Sequence, residues 1–82
     1  MFVVVLTPVA HETATTVGAI LKENNDFCLN SMDELKNTWP QLEFSRDWER
    51  GVLIAYGSEK DMLSLFDAVS SDEDWSVGVW TV

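Results

Sequence analysis

Cysteine and histidine occur once each in this chain, proline twice and glycine four times, and each scarcity closes off a class of chemistry. A lone Cys28 excludes an intramolecular disulfide and any zinc site built on cysteines. It suits a reducing compartment. Beside Phe27 and Leu29 it reads as a small buried apolar residue rather than an activated thiol. His11 has only Glu12 as a neighbouring polar partner, which is too little for a general base or a metal ligand set. The glycines form no phosphate-cradling loop. Gly57-Ser58 opens a helix, but Glu59 and Asp61 sit at that helix start and oppose an anion there. The Asp72-Glu73-Asp74 run lacks the alternating ligands and the glycine of a calcium loop. With no nucleophile–base pair, metal set or cofactor loop, the chain reads as a non-enzyme with no cofactor.

Long hydrophobic runs are also missing. No segment reaches the length needed to span a membrane. Phe2–Leu6 is apolar, but it is short and no basic residue precedes it, so no signal peptide is read there. A single domain over residues 1–82, located in the cytoplasm, is the expectation.

Positive charge is scarce too. Five lysines and arginines face fourteen acids, for a formal net charge of −9. Such a field repels phosphate backbones and anionic lipid and attracts basic surfaces. Neither direct nucleic-acid binding nor membrane binding is expected. The hydrophobic fraction of 46 % and the four tryptophans supply enough apolar surface for one core despite the small size.

The apolar pattern then gives the elements. Phe2–Leu6 and Val52–Tyr56 are apolar without alternation, as strands covered on both faces are. A first helix is expected from near Pro8 or Glu12, carrying Ala10, Ala14, Val17 and Leu21 on one stripe and ending at Asn24-Asn25. Phe27-Cys28-Leu29 reads as a short strand or an anchor. Ser31 to Glu34 matches a capping box and predicts a short extra helix, stopped by Pro40. Leu42–Ser45 alternates as a half-exposed strand, and RDWERG forms the hairpin connection into Val52. Ser58 caps a second long helix with the stripe Met62, Leu65, Phe66 and Val69. Trp75–Val82 is the last strand, in which Gly78 marks a bulge or a close approach.

This order predicts an α+β fold, ferredoxin-like βαββαβ, with two main helices on one face of an antiparallel sheet and the extra helix before the hairpin. The first and third strands are the most apolar and belong in the middle. Two helices cover only one face of such a sheet, so the other face needs either the extra helix or a second subunit. Three connections fall at one end of the sheet. They bring together His11 and Glu12, then Asp47, Trp48 and Glu49, then Asp72, Glu73, Asp74 and Trp75. Acids beside tryptophans have the composition of a binding surface.

The function expected from these residues is a non-catalytic acidic protein that blocks a basic protein or nucleic-acid-binding complex. The broad class is that of inhibitors, immunity proteins and phage antagonists of host defence, some of which mimic nucleic acid. Glu12, Asp47, Glu49, Asp72, Glu73 and Asp74 would supply charge, with Trp48 and Trp75 as anchors. The alternative is a small regulatory or scaffolding domain that homodimerises through its open sheet face.

Overall fold

Two uninterrupted apolar strands form the middle of a four-stranded antiparallel sheet of order β2-β3-β1-β4. The computed structural model describes residues 1–9 and 16–82. Along the chain come β1 (Phe2–Pro8), α1 (Val17–Thr38), β2 (Glu43–Asp47), β3 (Val52–Tyr56), α2 (Glu59–Ser70) and β4 (Trp75–Thr81). Val4 lies opposite Ala55, and Leu6 opposite Leu53. Alternation along each strand then sends Val4, Leu6, Leu53 and Ala55 to one face and Val3, Val5, Val52 and Ile54 to the other.

The first of these faces carries the main core. It joins Val4, Leu6, Leu53 and Ala55 to Cys28 and Leu35 of α1 and to Leu65 and Val69 of α2. Leu6, Leu53, Leu65 and Cys28 are fully enclosed. Both helices therefore pack on the same side, as expected. Ser58 Oγ accepts from the Asp61 amide at 3.2 Å and donates to Asp61 Oδ2 at 2.7 Å, so each side chain secures the other at the start of α2. The Trp39 indole Nε1–H donates to Ser64 Oγ at 3.3 Å and ties the end of α1 to α2.

The largest departure from expectation is α1. It is one helix of 22 residues, capped by Thr16, whose side chain accepts from the Ala19 amide. The expected end at Asn24-Asn25, the strand or anchor at Phe27–Leu29 and the separate helix from Met32 are all turns of this element. The stripe Leu21, Asn25, Cys28, Met32, Leu35 runs through at spacings of four and three, with Asn25 as a polar member. Asn25 spends its side chain on the hairpin, donating from Nδ2 to the Trp48 carbonyl at 3.0 Å. That use removes its usual helix-ending role. Ser31, expected as a cap, lies mid-helix. The stop before Pro40 stands, with the Trp39 amide making the last bond to the Leu35 carbonyl. Pro8 is no helix opener: it belongs to β1, opposite Trp75. The expected helix start near Glu12 lies outside the described residues.

No helix among the described residues packs on the face turned away from α1 and α2, yet Val3, Val5 and Val52 are 2–6 % exposed. Arg50 reaches over this sheet and sets its guanidinium 4.9 Å from the centre of the Trp80 ring. Gly78 produces no bulge, because the β1–β4 register is continuous from Phe2–Thr81 to Pro8–Trp75.

Candidate functional site: an acidic helical layer above a neutral sheet

The strand register brings the expected turns to one end of the sheet. Pro8 at the end of β1 faces Trp75 at the start of β4, and Asp47 faces Val52 across the hairpin. Since neighbouring strands lie about 4.8 Å apart, the hairpin and the α2–β4 turn sit on opposite sides of the β1 exit. Glu12 and His11 lie outside the described residues.

The hairpin is not acidic on balance. Asp47 Oδ1 accepts from the Glu49 and Arg50 amides at 3.1 and 3.2 Å, an Asx turn that shapes the loop. Arg50 Nη1 lies 3.8 Å from Asp47 Oδ2. The Arg46 guanidinium stacks 3.5 Å from the centre of the Trp48 ring and donates from Nη2 to the Asn25 carbonyl at 3.1 Å. Two arginines thus offset Asp47 and Glu49. Trp48 stays 60 % exposed, an aromatic plate already backed by a cation.

The other expected anchor is corrected outright. Trp75 is buried, with its ring edge-on to Phe27 at 4.9 Å between centroids. As the first residue of β4 it points into the helix-side core. Asp72, Glu73 and Asp74, just before it, are exposed. Asp72 Oδ1 accepts from the Asp74 amide at 2.9 Å, an Asx turn that shapes the connection.

Among the described residues the field originates in the helical layer. Of the fourteen acids, Glu23, Asp26, Asp33, Glu34, Glu59, Asp61, Asp67, Asp72, Glu73 and Asp74 belong to the helices and the turn after α2, against Lys22, Lys36 and Lys60. Neither β1 nor β4 carries a charge. Among the described residues, the strands and their hairpin carry only the hairpin set and Glu43. The acids on α1 were legible as charged positions off the apolar stripe, but dividing α1 into three pieces hid that they share one surface.

Within this layer, the C-terminal end of α2 is the most concentrated point. No basic residue stands in its last turn. Asp67 and the Asp72–Asp74 turn gather at the helix end that is already partly negative, where a carboxylate is unfavourable by about 0.3–1 kcal/mol. Here a cleft of about 440 Å³ opens between α1 and α2, with Glu34, Asp72 and Asp74 at its rim and Phe27, Trp39 and Trp75 along its walls. A cationic side chain entering this cleft would meet carboxylates, a helix C-terminus and aromatic faces together.

Among the described residues, no three of His, Cys, Asp and Glu gather closely enough to hold a metal ion, and no helix is long and apolar enough to cross a membrane. No protein-family model, curated protein or solved structure matches the chain.

Proposed function

We propose that this is a non-catalytic binding protein that presents its acidic helical layer to a basic partner and blocks it. The partner would be a nuclease, a nucleic-acid-binding complex or a toxin, and the protein an inhibitor, immunity or anti-host-defence factor acting by mimicry of nucleic-acid charge in the cytoplasm. The βαββαβ order with β1 and β3 central supports reading the scaffold as ferredoxin-like. The observation that carries the function is the placement of the acids. If they served solubility alone, they would be spread over both sides of the sheet. Instead they crowd one layer and the unfavourable end of α2, where like charges repel and a basic partner would relieve the strain. Trp48 is the exposed aromatic at the same end of the sheet. Asp47 and Glu49 contribute less than Asp72 and Glu73, because Arg46 and Arg50 offset them.

The test is capture of the partner from native-host lysate on the tagged protein with elution by a salt gradient, followed by titration of purified components. The triple reversal Asp72→Lys, Glu73→Lys, Asp74→Lys is expected to weaken binding at least tenfold and to flatten its salt dependence. Equal affinity for the variant and the parent chain would overturn the assignment.

A further inference from the structure

The two edges of the sheet are built differently. β2 is five residues long and carries Glu43, Arg46 and Asp47, the charged guards that keep an edge from pairing with another chain. β4 is seven residues long, WSVGVWT, with no charge and no proline. In a chain of net charge −9 this bare strip stands out.

The ladder shows which groups it offers. The Val9 amide donates to the Asp74 carbonyl, and the Val82 amide to the Met1 carbonyl. Since hydrogen-bonded and non-bonded pairs alternate in an antiparallel ladder, Ser76, Gly78 and Trp80 also bond toward β1. The N–H and C=O groups of Val77, Val79 and Thr81 point outward, and no strand among the described residues pairs with that edge. Apolar surface gathers along it as well. Six of the exposed large hydrophobics, Met1, Phe2, Leu63, Val79, Trp80 and Val82, lie on β4, on the strand start beside it or on the flanking turn of α2. Phe2, Leu63 and Val79 line one groove of about 120 Å³ there, with Glu59 of α2 as its one charged member.

Gly78 adds an independent observation. A glycine inside a strand is destabilising relative to alanine, and nothing among the described residues requires one here. Its φ is not positive, the register shows no bulge, and a Cβ built there would meet no atom within 4 Å. With none of these uses met among the described residues, a strand glycine here suits close approach by another backbone.

We propose that β4 pairs antiparallel with β4 of a second copy, about a twofold axis at Gly78, to form a continuous eight-stranded sheet. Centring on Gly78 sets Val77 opposite Val79 of the second copy, so the outward N–H and C=O groups of these residues pair with each other. It also sets Thr81 opposite that copy's Trp75, whose carbonyl can accept while its amide stays on the Asp72 carbonyl at 3.4 Å. Gly78 then faces its own symmetry mate in a non-bonded pair with Cα atoms about 4.5 Å apart. The bare glycine leaves room on the diagonal for Trp80 of the second copy. Charge selects the occupant. Two copies at −9 repel wherever their helical layers meet, whereas the edge is neutral and self-complementary. A basic partner would gain nothing from it. This proposal is independent of the acidic-layer function.

Light scattering and sedimentation over about 1–200 µM protein, at low and high salt, provide the test. A dimer that holds or tightens as salt rises is expected, because its contacts are apolar and its copies repel. Val79→Lys, at a side chain already 53 % exposed, should give a folded monomer by circular dichroism. Thr81→Pro, which removes one outward amide and no β1 bond, should weaken the dimer at least tenfold. Under oxidation Gly78→Cys should cross-link the copies in high yield, since the predicted Cα separation suits a disulfide, whereas Ser76→Cys should not. A monomer throughout the range, a dimer untouched by Val79→Lys, or cross-linking at position 76 rather than 78 would each overturn the proposal.

Discussion

At the residue scale, Cys28 shows how one side chain holds two elements in register. Its thiol is enclosed between α1 and the start of β3 and donates to the Gly51 carbonyl at 3.7 Å. Gly51 fits there only as glycine. Its φ is +67°, and a Cβ would come within 3.0 Å of Leu21 Cδ1 and Asn24 Cβ. Burial raises the Cys28 pKa from 9.0 to about 11, with the Arg46 charge pulling modestly the other way. The sign follows from proton uptake. Between pH 9 and 11 the folded chain keeps a proton that the unfolded chain loses, so stability falls as pH rises through that window. Urea titrations at pH 8, 9 and 10 should show this loss in the parent chain and a shallower one in Cys28→Ala, which is less stable at every pH because of its cavity. The thiol should also resist a thiol-specific reagent at pH 8 until urea unfolds the protein. Rapid labelling of the folded chain would contradict the enclosure.

Elements were legible where one physical signal dominated and obscure where two competed. The strands Val52–Tyr56 and Phe2–Leu6 are apolar throughout, and Ser58 has no rival use, so β1, β3 and α2 followed from the pattern. α1 did not, because Asn24-Asn25 and the Ser31–Glu34 capping box are strong local stop and start signals that tertiary contacts override. Asn25 is held inside the helix by the hairpin it bonds to, a contact more than twenty residues away in sequence. Trp75 was misplaced for a related reason. Next to three acids it resembles a surface anchor, yet strand alternation sends it inward to Phe27. The two arginines of SRDWERG, by contrast, were in plain view, and counting them would have shown the hairpin to be nearly neutral.

Arg46 is the element-scale link that joins α1 to the hairpin, through its bond to the Asn25 carbonyl and its stack on Trp48. Lysine keeps the charge but loses the planar stack and the fork of donors. Arg46→Lys should therefore lower stability by about 1–2 kcal/mol and make Trp48 emission easier to quench with acrylamide. An unchanged urea midpoint would mean that the link adds nothing.

At the scale of the whole molecule, the division into a charged helical layer and a neutral sheet edge gives salt opposite effects on the two surfaces. Exposed carboxylates repel over a distance set by the ions, about 30 Å at 0.01 M and 3 Å at 1 M. Crowding on one layer makes that repulsion a destabilising term in the isolated chain. Adding salt should raise the melting temperature. A gain of about 1 kcal/mol corresponds to roughly 4–8 °C for a domain of this size. The paired change Asp67→Asn, Asp72→Asn, at the unfavourable end of α2, should raise the melting temperature at low salt and reduce the further rise on adding salt. Glu43→Gln, on the guarded β2 edge, should do neither to the same extent. The same ions should weaken binding of a basic partner to the helical layer while sparing or strengthening β4 pairing. A melting temperature indifferent to salt would show that the acids do not strain the fold. Their placement would then need no partner to explain it, and the case for a binding surface on the helical layer would fall with the repulsion.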